Sequence, residues 1–284
     1  METVSSVSGT SSTTPQPSGL DLEYVQLSDP GRVRGHNEDA FGQVAPTTPG
    51  SVRSHGWLFA VADGVGGQER GEVASRLAID TLVAGFRGAV AGEPHVSLLQ
   101  RLVQTANIQV YEAGRSASAG GVNMATTVVV CALRYDRAAI AHVGDSRCYL
   151  VRQGRATLLT RDHTVVNDQV RLGILSAKEA AQSERRHLLS RSLGNDLFVG
   201  VETSEHQVLP SDILLLCSDG LHGALAASDI GRLVSSNANL HKAASSLVEL
   251  ANERDGSDNI TVQLIRVRGV ERVGMYRGRP YKLR

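Results

Sequence analysis

The chain has 284 residues, 41% of them apolar and 20% charged, with 29 basic against 29 acidic side chains. That is enough apolar chain for a sizeable buried core, and zero net charge excludes a global field that would gather nucleic acid or an anionic membrane. No run approaches the ~20 apolar residues of a membrane span, and the N-terminus lacks the charged-then-apolar order of a signal peptide. The expected location is the cytoplasm, and any partner is chosen by a local site.

Residues 1–19 are dominated by Ser, Thr, Pro and Gly with one charge, Glu2, and read as a disordered leader because they carry too little apolar surface to offset ordering. Apolar, β-branched runs at 58–62, 126–133, 138–143, 148–151, 213–217 and 260–267 read as strands. Short turns between neighbours, as at 134–137 and 152–155, imply antiparallel pairing. Helical spacing of apolar residues marks 69–86, 96–111 and about 240–252 as helices. Strands adjoining strands, with helices grouped together, argue for an α+β layered domain rather than a βαβ repeat. Residues 161–200 are polar and weakly periodic, a surface excursion from the core. Residues 269–284 carry Arg272, Arg277, Arg279, Lys282 and Arg284 against Glu271 and read as a basic tail, solvated or docking an acidic partner. Cys131, Cys148 and Cys217 lie in strand-like runs without paired or metal-ligand spacing, as buried free thiols do in a reducing compartment.

Asp63, Asp145 and Asp219 stand just beyond apolar runs, and Asp258 just before one. Any one of them alone reads as a turn former. Together they form an oxygen-rich set suited to magnesium or manganese rather than zinc, and like charges this close need cations to remain ionised. Asp63-Gly64 and Asp219-Gly220 place a glycine beside the acid, where a carbonyl or ligand gains close approach. Upstream, in "GRVRGHNEDAFG", Arg34 and Glu38 share one face if the segment is extended. A guanidinium beside a carboxylate site offers a fork for phosphoryl oxygens, or else a local ion pair.

Seven blocks then occur in order: "GRVRGHNEDAF", "LFAVADGVGGQERGEVAS", "MATTVVVCAL", "AHVGDSRCYLVRQG", "TRDHTVV", "LLLCSDGL" and "DGSDNITV". In these the chain resembles the metal-dependent serine/threonine protein phosphatases of the 2C type, in their bacterial form. The resemblance implies a four-layer α-β-β-α sandwich, two antiparallel sheets flanked by helices, over residues 20–268, with a flap at about 162–194. It implies two Mn2+ or Mg2+ ions in a cleft at one end of the sandwich. Asp63 bridges them, Glu38 and the Gly64 carbonyl hold one, Asp219 and Asp258 hold the other, Arg34 grips the phosphate, and Asp39 and Asn259 support the ligands. Two such ions acidify a shared water for in-line attack on phosphorus, so no cysteine or serine is needed as nucleophile. The implied partners are phosphorylated proteins, among them serine/threonine kinases and their substrates, met by a monomer.

Two positions depart from the family pattern. Gly223 stands where bacterial members commonly carry an aspartate that joins Asp145 at a third ion, which leaves that ion open, with His222 or water as substitute. Val65 stands where eukaryotic members carry a histidine proposed as general acid, and valine has no proton to donate. His36 is the nearest alternative in sequence, while His163 is expected to make a structural hydrogen bond. Arg185 and Arg186 in the flap are candidates to meet an acidic patch of a protein substrate. Two rivals stay open: a catalytically weak module that binds phosphoproteins, and a metal-dependent phosphodiesterase, which shares the oxygen-rich site but not the order of motifs.

Overall fold

The computed structural model describes residues 20–65, 70–117, 124–183, 185, 187–271, 273–276 and 279–282. The leader 1–19, Gly66, Gly67 and Arg186 lie outside the described residues. In chain order the strands are β1 (Asp21–Asp29), β2 (Asp39–Val44), β3 (Trp57–Val65), β4 (Ala125–Thr126), β5 (Val128–Arg134), β6 (Arg137–Val143), β7 (Arg147–Arg152), β8 (Arg155–Leu158), β9 (Glu202–Gln207), β10 (Ile213–Cys217), β11 (Ile260–Gly269), β12 (Val273–Tyr276) and β13 (Arg279–Lys282). The helices are α1 (Pro49–Ser54), α2 (Gly71–Arg87), α3 (His95–Ser116), α4 (Val165–Arg171), α5 (Ala177–Gln182), α6 (Asp219–Ala224), α7 (Ala227–Ser236) and α8 (Leu240–Arg254).

One sheet runs β1-β11-β10-β7-β8 and the other β2-β3-β5-β6-β9, with β4 also paired to β3. The neighbouring strands pair antiparallel throughout. The period of two along a strand sorts the residues into layers. In β3, Phe59 and Val61 face inward and join Cys131, Ile140, Cys148, Leu214, Leu216 and Ile265 between the sheets. Leu58, Ala60 and Ala62 face the other way, onto Ala74, Ala78, Leu82, Leu99 and Val103 of α2 and α3. On the opposite sheet Tyr149, Leu215, Val262 and Leu264 pack beneath Leu221, Ile230, Ala244 and Leu247 of α6, α7 and α8. The result is the expected sandwich of helices, sheet, sheet and helices, its buried strands reading as near-continuous apolar runs because both faces are covered.

The six apolar runs and three helical segments match elements of this fold, and the three cysteines are buried free thiols. Burial pushes the Cys131 and Cys217 thiols up to about 12. Three readings change. The 31–38 segment is not extended: it makes a turn at 31–33 and a bend at 35–36 before β2 begins. Asp63 lies inside β3, which continues to Val65 because Gly64 and Val65 pair with β4. Residues 269–284 contain the paired strands β12 and β13, and Glu271 accepts a two-pronged hydrogen bond from Arg53. Strand β9, "ETSEHQ", had no apolar signal because it closes a sheet edge and stays half exposed. Among the described residues, no helix is long and apolar enough to cross a membrane.

Candidate active site

Both sheets end at one cleft of about 370 Å³, lined by Glu38, Asp63, Asp145, Asp219 and Asp258 together with Arg34. Five acids scattered over 221 positions therefore meet in one place, and each arrives on a different piece of the scaffold. Asp63 comes on β3, Asp219 as the first residue of α6, Asp145 from the turn after β6, Asp258 from the approach to β11 and Glu38 from the approach to β2. The antiparallel register sets Asp39 directly opposite Asp63.

The backbone around Asp63 is fixed by threonines. Its N–H donates to Thr127 Oγ1 at 3.2 Å, and its carbonyl accepts from Thr126 Oγ1 at 2.7 Å and from the Thr127 N–H at 2.8 Å. Thr127 and Ser146 hydroxyls share a 2.7 Å hydrogen bond, which ties the Asp63 strand to the Asp145 turn. Next to Asp63, a Cβ on Gly64 would sit 2.4 Å from the Gly71 carbonyl carbon and oxygen and 2.7 Å from the Glu38 carbonyl oxygen. A Cβ on Gly71 would lie 2.9 Å from the Glu38 carboxylate. Only bare backbone lets α2 begin against the cleft acids.

Asn259 holds the loop that carries Arg34 and Glu38. Its Oδ1 accepts from the Glu38 N–H at 2.8 Å, while its Nδ2 donates to the Pro30 and His36 carbonyls, each at 3.0 Å. Ser75 Oγ donates to the Glu38 carbonyl at 2.6 Å. Asp39, next to Glu38, accepts a 2.7 Å bond from Ser218 Oγ. Arg34 donates to Asp258 Oδ2 at 2.8 Å and keeps 46% of its side chain exposed. Thr126, Thr127, Ser146 and Ser218 were not singled out in the sequence, although "MATT" and "CSDG" lie within the motif blocks.

The electrostatics are those of negative charge without compensation. Desolvation raises Asp63 well above the carboxylate range, and the charges of Asp39, Asp219, Asp145 and Asp258 raise it further. Burial also lifts Asp219, with Asp258 adding to it, and lifts Glu38. Asp39 and Asp145 are each pushed up to about 7, mainly by burial. Asp39 Oδ1 is buried and has no hydrogen-bond partner among the described residues. Converging oxygen donors that repel one another fit a hard divalent cation.

Other candidates fall into supporting places. His163 clamps the Asp145 turn: its Nδ1 accepts from the Gly144 N–H at 3.2 Å, and its own N–H donates to the Gly144 carbonyl at 3.0 Å. Its other ring nitrogen meets Glu202 at 3.3 Å. His142, His163 and Glu202 have ligand atoms within 4.8 Å of one another, but hydrogen bonds to Arg161 and Gly144 occupy this group. His222 is neither a free surface ring nor in the cleft lining. Its Nε2 bonds the Asp145 carbonyl at 2.9 Å, and burial lowers its pKa to about 4. Gly223 is exposed, and a Cβ there would meet nothing within 4 Å. His36 is also outside the cleft lining, whereas Val65 lines it, as does His187 from the flap.

The family model for protein phosphatase 2C matches residues 33–259. The chain belongs to the protein phosphatase 2C family. A serine/threonine phosphatase, Stp, of Listeria monocytogenes is 34% identical over 243 residues, 84% of this chain and 93% of that protein. The solved structure of the Streptococcus agalactiae serine/threonine phosphatase superposes with a TM-score of 0.79 at 33% identity, covering 87% of this chain and all of that one. The catalytic domain of the phosphatase PstP, solved in complex with two manganese ions, gives a TM-score of 0.73 at 32% identity, covering 88% of this chain and 100% of its own. This phosphatase therefore shares the fold of its relatives and is a metal-dependent enzyme.

Proposed function

We propose that the chain hydrolyses phosphoserine and phosphothreonine in proteins, using two Mn2+ or Mg2+ ions, and opposes serine/threonine kinases of its cell. The observation that carries this reading is the convergence of Glu38, Asp63, Asp219 and Asp258 on one cleft beside Arg34, which is the one cationic side chain among the described residues that hydrogen-bonds these acids. Glu38, Asp63 and the Gly64 carbonyl would hold one ion, and Asp63, Asp219 and Asp258 the other. When bound, the two ions supply Lewis acidity and charge neutralisation for attack of water at phosphorus.

The protein's own groups do the rest. Arg34 lines the cleft with a planar fork and bonds Asp258 through one of its nitrogens, so it can hold a phosphoryl oxygen while keeping Asp258 oriented. Asn259 fixes the separation between Arg34 and Glu38 by bonding three points of their loop. The threonine bonds to Asp63 and the bare Gly64–Gly71 contact hold the acids in place before substrate arrives, as preorganised charge stabilisation requires. The absence of a side chain at Gly223 favours a second reading, a phosphoprotein-binding module of weak activity. The buried free thiols support the cytoplasm as its location.

The test uses p-nitrophenyl phosphate and a phosphothreonine peptide. Hydrolysis should require Mn2+ or Mg2+, stop with chelator and fall at least 10²-fold in Asp219→Asn. Full metal occupancy, measured by calorimetry, with no hydrolysis of either substrate would overturn the phosphatase reading in favour of the module.

A further inference from the structure

Breaking a serine or threonine phosphate releases an alkoxide, which is a poor leaving group until it gains a proton. Val65 lines the cleft without a proton to give. Thr127, Ser192 and Asn195 also line it, but hydroxyls and amides are not acids near neutral pH, and a guanidinium does not release its proton in proteins. His36 is outside the lining, and His222 is neutral and turned onto the Asp145 carbonyl. Of the nine histidines in the chain, the one that lines the cleft is His187.

His187 belongs to the flap, yet the backbone beside it is tied down. Leu189 forms a β-bridge with Thr164. The Val165 N–H donates to the Leu188 carbonyl at 2.9 Å, and the Ser190 N–H donates to the His163 carbonyl at 2.9 Å. The same His163 clamps the Asp145 turn, so the flap residues next to His187 are latched to the acid cluster. His187 is solvent-exposed, which gives it exchange with water, and it shares the cleft with Asp219. An imidazole thus lines the acid cleft from an anchored segment of the flap.

We propose that His187 is the general acid that protonates the leaving serine or threonine oxygen, filling the place Val65 leaves empty. This assignment rests on the phosphatase reading. In the step, the oxygen of a water forms a bond to phosphorus while the bond from phosphorus to the substrate oxygen breaks. The electron pair of the broken bond stays on the substrate oxygen, which takes the proton of the His187 imidazolium. The products are inorganic phosphate and a free hydroxyl side chain; the surplus proton of the water goes to solvent, and solvent returns one to His187.

The experiment compares wild type, H187A and H187N with Mg2+ on a series of phosphate monoesters, from p-nitrophenyl through phenyl phosphate to a phosphoserine peptide. The expected loss of kcat grows with the pKa of the leaving alcohol, from a few-fold for p-nitrophenyl phosphate to about 10²-fold for the peptide, with KM little moved. In protein labelled with 15N-histidine, adding inorganic phosphate in Mg2+ should shift one imidazole signal that is missing from H187N. A variant whose kcat falls equally along the series, or changes only in KM, overturns the assignment, and so does a His187 signal blind to phosphate. Wild-type protein that hydrolyses none of the esters sinks the phosphatase reading itself, a result distinct from failure of His187.

Discussion

Replacing Asp145 with asparagine should stabilise the metal-free protein at alkaline pH and leave it nearly unchanged in acid. Asp145 is 6% exposed, and burial first, then the charges of Asp219 and Asp162, push its pKa from 3.8 to about 7. The folded state therefore binds this proton more tightly than the unfolded chain does. Its contribution to stability is full below 3.8 and is lost as pH rises through about 7. At about 1.4 kcal/mol per pH unit, the rise corresponds to about 4 kcal/mol at pH 8 and less than about 1 kcal/mol at pH 4. Asparagine has no charge to desolvate, although its amide must find hydrogen bonds where the carboxylate stood. A net gain of about 2 kcal/mol at pH 8 would raise Tm by about 4–8 °C. The assay is thermal unfolding by circular dichroism of chelator-stripped wild type and Asp145→Asn at pH 4 and pH 8. Equal gains at both pH values, or no gain at pH 8, would refute the reasoning, because the charge of a buried carboxylate would then not be what costs stability. Saturating Mn2+ should narrow the difference at pH 8, since the cation supplies the compensation that the substitution otherwise provides.

Two more outcomes follow from the glycines. Gly64→Ala places a methyl 2.4 Å from the Gly71 backbone, which cannot swing aside, so a loss of about 1–3 kcal/mol is expected; chemical denaturation with chelator and Mn2+ titration calorimetry should both show weakening, and wild-type metal affinity would count against the close-packing argument. Gly223→Asp adds a carboxylate in open space, one residue from the His222 ring that holds the Asp145 carbonyl; it should fold with stability within about 0.5 kcal/mol of wild type and gain a weak additional Mn2+ site by calorimetry, whereas unchanged stoichiometry would show that Gly223 is not what limits a third ion.

Much of the fold was legible because both sheets are covered on both faces. Runs such as 213–217 and 260–267 had to be apolar throughout, and they stand out in the chain. Strand β9 did not, since an exposed sheet edge places no such demand on "ETSEHQ". Arg34 and Glu38 stood out through their motif block, and an extended segment would have put them on one face. They are brought to the cleft by a turning loop held at three points by Asn259, 221 residues away from Glu38, and not by sharing the face of a strand.

The sequence by itself pointed to the chemistry of the site: acids and glycines at the ends of apolar runs, in an order that matches one family, read as an oxygen-rich set suited to hard cations. That information is local, because a strand end and the residue after it are adjacent in the chain. Tertiary structure alone decided how strongly those acids repel, since their pKa values depend on burial and on neighbours contributed by other elements. It also decided which histidine lines the cleft. His36 and Val65 are near the acids in sequence, but the proton donor at the cleft is set by the path of the flap, whose latch to Thr164 and His163 carries His187 over the site.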